Sequence, residues 1–278
     1  MDKLHLQKIA LEIRKGALTA VYTAASGHPG GSLGIAELLA YLYFEEMHVD
    51  PKNPKDPDRD RFVLSKGHTS PALYAALAEK GFFPKEDLKT FRQKDSYLQG
   101  HPDMKHIPGV DMSTGSLGQG ISAACGMALS GKISEKKYRV WTILGDGECE
   151  EGQVWEAAMF AAHYGLNNLC AFVDFNGLQI DGAVTEVMNP TPLDTKFAAF
   201  GWNTLVIDGH DFDQIASAVE AAKRSAKPTA VICITTKGKG VSYMENVCAW
   251  HGSAPKTEQY EQGMRELEEA EKALLANV

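Results

Sequence analysis

Arg139-Val-Trp-Thr-Ile-Leu144 running into Gly145-Asp146-Gly147-Glu148, and Leu169-Cys170-Ala171-Phe172-Val173 running into Asp174-Phe175-Asn176-Gly177-Leu178, decide the fold. Each is a short run of strand-forming apolar residues that stops at glycine and acidic or amide residues. Between them the stretch 152–162, GQVWEAAMFAA, reads as a helix with a mixed apolar face. Strand, acidic turn, helix, strand makes a βαβ unit. A parallel sheet then brings both turns to one carboxyl-terminal edge, where open α/β sheets collect their ligands. A helix starting at the first turn would add unpaired backbone N–H groups suited to a diphosphate. Asp146 and Asn176, with a backbone carbonyl nearby, offer the oxygen donors that a hard divalent cation takes. Gly-Asp-Gly alone is also a common turn, and a lone aspartate after a strand is more often a helix cap. The asparagine at the end of the next strand makes the pair specific.

Working outward, apolar runs and amphipathic runs alternate. A helix precedes Ala25; another covers Ile35–Met47, then a Pro/Asp-rich loop spans Val49–Asp60. A strand follows at Arg61–Leu64 and a helix at Ser70–Lys80, and the small-residue stretch Ile121–Leu129 reads as a helix opened by a Gly-rich loop. Past the central unit come strands at Asn203–Ile207 and Ala230–Thr235 with an amphipathic helix, Phe212–Ala226, between them. The tail Thr257–Ala276 carries Tyr260, Met264, Leu267 and Leu274 on one face and predicts a packing helix. The pattern predicts an α/β domain with a mostly parallel sheet and helices on both faces, occupying residues 1–278 as a single unit.

Composition sets limits on function. With 278 residues, 44% of them hydrophobic, the chain can bury one large core. A formal charge of −8 argues against a nucleic-acid partner, because Lys55, Lys66, Lys237 and Lys239 read as scattered rather than clustered. Five cysteines without CxxC spacing fit a reducing compartment. No apolar run approaches the roughly eighteen residues of a membrane span, and no apolar run follows the polar start at Met1-Asp2-Lys3. Cytoplasm is the expected location.

The segment 145–182, GDGECEEGQVWEAA through DFNGLQIDG, resembles the thiamine diphosphate fingerprint and, in this form, transketolase. Five further stretches agree in order: Ala25-Ser26-Gly27-His28-Pro29-Gly30-Gly31, Leu64-Ser65-Lys66-Gly67-His68, Gly100-His101-Pro102, Ser113-Thr114-Gly115-Ser116-Leu117-Gly118-Gln119-Gly120, and His251-Gly252-Ser253-Ala254-Pro255. The resemblance covers nearly the whole chain. It implies the diphosphate-binding (PP-type) domain of the thiamine diphosphate-binding fold, with the cofactor and Mg²⁺ (or Ca²⁺ or Mn²⁺) bound.

By resemblance, Asp146, Asn176 and the carbonyl of Leu178 are the metal ligands, and Gly147 lets the backbone approach the diphosphate. His68 and His251 match histidines on the diphosphate, and Gly115, Ser116 and Leu117 match the loop lining the cofactor. The family usually has proline where this chain has Ser116. His28, His101 and His251 match the catalytic histidines that face the ketose hydroxyls; imidazole donates, accepts or shuttles protons near neutrality. His5, His48, His106, His163 and His210 read as structural. Cys149 reads as a buried filler, Glu151 matches a position near a subunit interface, and Thr236–Gly240 reads as a turn leading to His251.

The family's cofactor-activating glutamate belongs to a second, pyrimidine-binding domain, and Glu148, Glu150 and Glu151 lie at the wrong end of the cofactor to replace it. The chain therefore reads as one half of a split transketolase, active with a separate pyrimidine-domain subunit, with a heterotetramer as the expected assembly. The charged tail before Ala276-Asn277-Val278 reads as a natural end rather than a cut linker. The expected reaction moves a two-carbon ketol unit from a ketose phosphate to an aldose phosphate. Alternatives are the α subunit of a 2-oxoacid dehydrogenase, which the histidines at 28, 68, 101 and 251 disfavour, and 1-deoxyxylulose-phosphate synthase, which the run after Gly147 disfavours. A non-catalytic regulatory paralogue is disfavoured by the intact Asp146 and Asn176.

Overall fold

The computed structural model describes residues 1–276; the expected natural end at Ala276-Asn277-Val278 lies partly outside them. In chain order the helices are α1 (Lys3–Ala24), α2 (Pro29–Leu33) and α3 (Ala36–Tyr41), which runs into a wider π turn over Leu42–Glu46. Then come strand β1 (Arg61–Leu64), α4 (Ser70–Lys80), α5 (Gln119–Ile133), β2 (Val140–Gly145), α6 (Gly152–His163) and β3 (Leu169–Phe175). A small hairpin, β4 (Leu178–Gln179) with β5 (Gly182–Ala183), leads to α7 (Val184–Val187) and α8 (Leu193–Ala199). β6 (Asn203–Asp208), α9 (Phe212–Arg224), β7 (Thr229–Ile234) and α10 (Thr257–Ala276) complete the described chain.

The five long strands form one parallel sheet in the order β1-β2-β3-β7-β6. Its strands are apolar on both faces, because both are covered by helices. Phe62, Leu64, Trp141, Ile143, Cys170, Phe172, Val231 and Cys233 point into the core shared with α1, α3, α4 and α9. Their alternate neighbours Val63, Leu144, Leu169, Ala171, Val173, Ala230 and Ile232 point into a second core with α5, α6 and α8. The expected fold class therefore holds.

A third, smaller cluster seats the tail. Leu267 of α10 is buried with Leu18 of α1, Leu33, Val241 and Met244, with Tyr260 and Met264 packed against them. Tyr260 also stacks on Tyr22 at 4.1 Å between ring centres. The sequence signal for this helix is its one apolar face, of which Tyr260, Met264 and Leu267 pack into the cluster while Leu274 lies outside it, half-buried.

The topology fixes where chemistry can happen. The carboxyl ends of β1, β2, β3 and β7, four neighbours in the sheet, deliver Ser65–His68, Asp146–Glu148, Asn176–Leu178 and Thr235–Lys237 to one edge.

Candidate active site

A cavity of about 110 Å³ opens at that edge, lined by Lys66, His68, Leu117, Asp146, Asn176, Leu178, Lys237 and His251 among others. That is far more than the ~10–15 Å³ one water needs, and it is room for a polyatomic anion. Asp146, expected to ligate metal, is 2 % exposed. Its two carboxylate oxygens accept from Gly147 N at 2.8 Å and Gly177 N at 2.6 Å. Burial, reinforced by the charge of Asp174, pushes its pKa up to about 6, against the pull of those two N–H groups and of Lys66.

Asn176 is oriented from both sides. Its Nδ2 donates to Asp174 Oδ2 at 2.8 Å, and its Oδ1 accepts from Leu178 N at 3.1 Å. The amide oxygen is thereby turned towards the strand end that carries the Leu178 carbonyl, which itself accepts from Lys237 Nζ at 3.0 Å. Asp146, Asn176 and Leu178 thus present oxygen atoms beside two ammonium groups, atoms of the kind that divalent cations and phosphates bind.

The helix expected over 152–162 is α6, Gly152–His163, and a 3₁₀ turn over Gly147–Glu150 separates its first residue from the Gly-Asp-Gly turn. Within that 3₁₀ turn the Glu148 carboxylate points inward, 3 % exposed. It accepts from Ser65 Oγ at 2.5 Å, Gly118 N at 2.9 Å and Gly145 N at 3.0 Å. One carboxylate thus ties the ends of β1 and β2 to the Gly-rich loop, and Gly118 meets it with φ of 80°, a conformation glycine adopts freely. Gly147 has its N–H engaged by Asp146, and a Cβ there would stand 3.1 Å from the Cβ of Gln179. Its small size preserves clearance on the cavity wall.

Three histidines meet at the mouth. The rings of His28, His68 and His251 lie 5.2 Å (28–68), 5.6 Å (28–251) and 5.0 Å (68–251) apart. The Nδ1 atoms of His28 and His251 are buried without a partner. His101 and Ser116 are exposed at the rim rather than in the cavity wall, and a Cβ on Gly115 would stand 2.9 Å from the His101 ring. Leu117 reaches the wall while remaining 36% exposed. Of the histidines that read as structural, His210 bridges Glu37 Oε2 at 3.0 Å and the N–H of Thr236 at 2.9 Å. Cys149 is buried, and burial raises its thiol pKa well above normal.

Lys66 and Lys237 look like scattered charges along the sequence, but folding brings both to this cavity, each 2 % exposed. Lys66 pairs with the fully buried Asp174, which also accepts from Thr235 Oγ1. Burial alone would raise Asp174's pKa, but the Lys66 charge and these hydrogen bonds outweigh it and hold the carboxyl below its ordinary value. Lys237 is lowered to about 8, chiefly by burial and then by Lys66. The available signal is positional: Lys66 sits in the His68 turn and Asp174 two residues before Asn176.

The histidine cluster makes stability depend on pH. Burial is the main cause that lowers His28 to about 4, His251 to about 3, and His68 well below 6.5, with neighbouring cationic charges adding to it. The folded chain keeps these rings neutral while the unfolded chain takes up their protons as pH falls through 6.5. Stability present at neutral pH is therefore lost between about pH 6.5 and 4, at up to about 1.4 kcal/mol per pH unit per ring, reduced by solvent at the half-exposed rings. Asp146 opposes this below about pH 6, since its folded-state pKa is raised. We expect the melting temperature of the isolated chain to fall from pH 7 to pH 5, and His28→Asn/His251→Asn to flatten the slope. A flat profile for the unsubstituted chain would contradict this account.

Comparison with known proteins agrees with this geometry. The family model for the transketolase thiamine diphosphate-binding domain matches residues 6–271. A 6-deoxy-6-sulfo-D-fructose transketolase subunit of Clostridium sp. (strain MSTE9) is 50% identical over 268 residues, 96% of this chain and 98% of that protein. An apulose-4-phosphate transketolase subunit of Phocaeicola vulgatus is 43% identical over 257 residues, 92% of this chain and 91% of that one. Single-chain transketolases are longer: the chain covers 42% of the human enzyme at 41% identity. It also covers 43% of the Campylobacter jejuni transketolase crystal structure, with a TM-score of 0.91 at 34% identity. With the strand-end site in place and a match along almost its whole length, the chain belongs to the transketolase family, within that family's thiamine diphosphate-binding domain.

Proposed function

We propose that this chain is the diphosphate-binding subunit of a two-chain transketolase, transferring a two-carbon ketol unit from a ketose to an aldose phosphate. The observation that carries this is the meeting of Asp146, Asn176, the Leu178 carbonyl and the histidines 28, 68 and 251 at one sheet edge. Mg²⁺, or Ca²⁺ or Mn²⁺, would take the three oxygen donors, and the diphosphate would lie against Lys66, Lys237, His68 and His251. Bound there, thiamine diphosphate supplies the electron sink for breaking and making the carbon–carbon bond.

The chain's own part is binding, orientation and proton placement. His28 and His251 are neutral at working pH, so each can accept a hydroxyl proton on one nitrogen and donate from the other. His101 and Ser116 at the rim would border the substrate and the cofactor's exposed side. The cavity's polar lining of Asp146, Asn176, Lys66 and Lys237 suits the diphosphate end, and the rest of the cofactor would be enclosed by a pyrimidine-domain subunit. Two relatives of nearly the same length are themselves named as subunits, which supports a separate partner; two copies of each chain would give a heterotetramer. A reducing, cytoplasmic setting accords with five free cysteines, four of them buried. Among the described residues no helix is long and apolar enough to cross a membrane.

The test is ketol transfer with thiamine diphosphate and Mg²⁺, by the chain alone and mixed with a candidate pyrimidine-domain chain. Activity is expected only in the mixture. The donors should include xylulose 5-phosphate, fructose 6-phosphate, 6-deoxy-6-sulfo-D-fructose and apulose 4-phosphate, since the last two name relatives. Cofactor binding and complex formation without transfer from any of them would leave a regulatory role as the better reading.

A further inference from the structure

Arg92 occupies an expensive position that none of the interactions above explains. It is a non-glycine residue with φ of 57°, in the left-handed region that side chains disfavour. Its N–H donates to Leu98 O at 2.8 Å, which closes a short loop and holds this backbone in place. The guanidinium packs against Gly100, where a Cβ would stand 2.6 Å from Nε and 2.8 Å from Nη2. Nη1 donates to Ser26 Oγ at 2.6 Å. Nε is buried with no partner, and among the described residues no carboxylate pairs with the group.

These contacts place it between two histidine-bearing turns. Ser26 lies two residues before His28, and Gly100 immediately precedes His101. Its charge reaches both rings and helps, after burial, to keep each of them neutral. A half-buried guanidinium without a counter-ion, held on a disfavoured backbone, is the kind of outlier that marks a ligand contact. The diphosphate is not its ligand, since Arg92 does not line that cavity and Lys66 and Lys237 do.

The geometry points to Arg92 as a specificity-determining residue that donates to hydroxyl or carbonyl oxygens of the substrate's open sugar chain, beside His28 and His101. This rests on the transketolase reading, which supplies the sugar. A planar fork with spare N–H groups matches a pair of oxygens on adjacent carbons. Neutral imidazoles on either side suit hydroxyl groups.

Binding, rather than turnover, gives a test that stands apart from that reading. The two-chain complex, loaded with thiamine diphosphate and Mg²⁺, is titrated with an unreactive pentitol and with its 5-phosphate by calorimetry and ligand-observed NMR. Arg92→Met is expected to weaken both about tenfold or more, and Arg92→Lys less, while affinity for thiamine diphosphate is unchanged. Arg92→Gly suits the backbone and serves as the folding control; it should melt no lower than the unsubstituted chain yet bind both ligands as weakly as Arg92→Met. Loss confined to the phosphorylated ligand would assign Arg92 to the terminal anion and overturn the proposal. So would unchanged affinity for both, absence of binding to the unsubstituted complex, or a parallel loss of cofactor affinity. Failure of the transketolase reading shows separately, as absence of ketol transfer by the unsubstituted complex.

Discussion

Asp146→Ala is expected to abolish ketol transfer by the two-chain complex and to weaken Mg²⁺-dependent binding of thiamine diphosphate more than about 100-fold. Loss of residues that merely support a metal ligand costs roughly 10–100-fold, and Asp146 is the one carboxylate among the three proposed oxygen donors. The same change should leave the cofactor-free fold intact, because the carboxylate is a burden to it. Asp146 is almost fully buried and faces the charge of Asp174, which together raise its pKa to about 6. The N–H groups of Gly147 and Gly177 lose an acceptor, so some of that relief is given back. Asp146→Asn separates these effects, since it keeps the shape and one acceptor oxygen while removing the charge. Both variants should melt close to the unsubstituted chain and fail to take up Mn²⁺ with the cofactor, read by electron paramagnetic resonance and by titration. Unaltered cofactor affinity in Asp146→Asn would remove Asp146 from the metal site.

That combination, a costly residue at a place where function needs it, explains what is legible in the sequence and what is not. β2 and β3 are legible because their apolar runs are bounded by Gly145 and Asn176, and the sheet is covered on both faces. α4 follows its expected bounds because a proline opens it and Gly81 closes it. α6 starts at Gly152, where its helical run starts in the sequence, but sequence alone does not reveal that Glu148 in the turn before it points inward to serve three loops at once. The β4–β5 hairpin and helices α7 and α8 escape a sequence reading, being too short to show a period. Within the site, residues carried by motifs are visible in the sequence, and those defined only by long-range contact are not. Lys66 and Asp174 stand 108 positions apart, and nothing in either neighbourhood announces the other. Arg92 is invisible for the same reason: its oddity is a backbone angle and an absent partner, neither of which a sequence displays.

The buried pair of Lys66 and Asp174 should therefore dominate stability as Asp146 dominates function. Lys66 leaves the end of β1, passes Gly145 at the end of β2, where a Cβ would stand 4.0 Å from its Cδ, and reaches Asp174 on β3. Three strand ends are thus joined beneath the cavity, and Thr235 after β7 joins a fourth. Lys66→Met would leave the Asp174 carboxylate buried, with Asp146 nearby, its ion-pair partner gone and only the weaker pull of Lys237 left. Breaking a buried pair from one side costs about 3–5 kcal/mol, a fall in melting temperature on the order of 10 °C for a chain of this size. Replacing both partners removes the stranded charge, so Lys66→Met/Asp174→Asn should recover more than half of that loss. It should not recover cofactor binding, because Lys66 also supplies positive charge to the cavity and Asp174 accepts from Asn176 Nδ2 and so sets the direction of its amide oxygen. Thermal melts of the three proteins, with thiamine diphosphate titrations alongside, decide it. A Lys66→Met variant melting within about 2 °C of the unsubstituted chain would show that water or a moved side chain relieves Asp174. A double variant that regains cofactor affinity along with stability would show that the pair serves the fold alone.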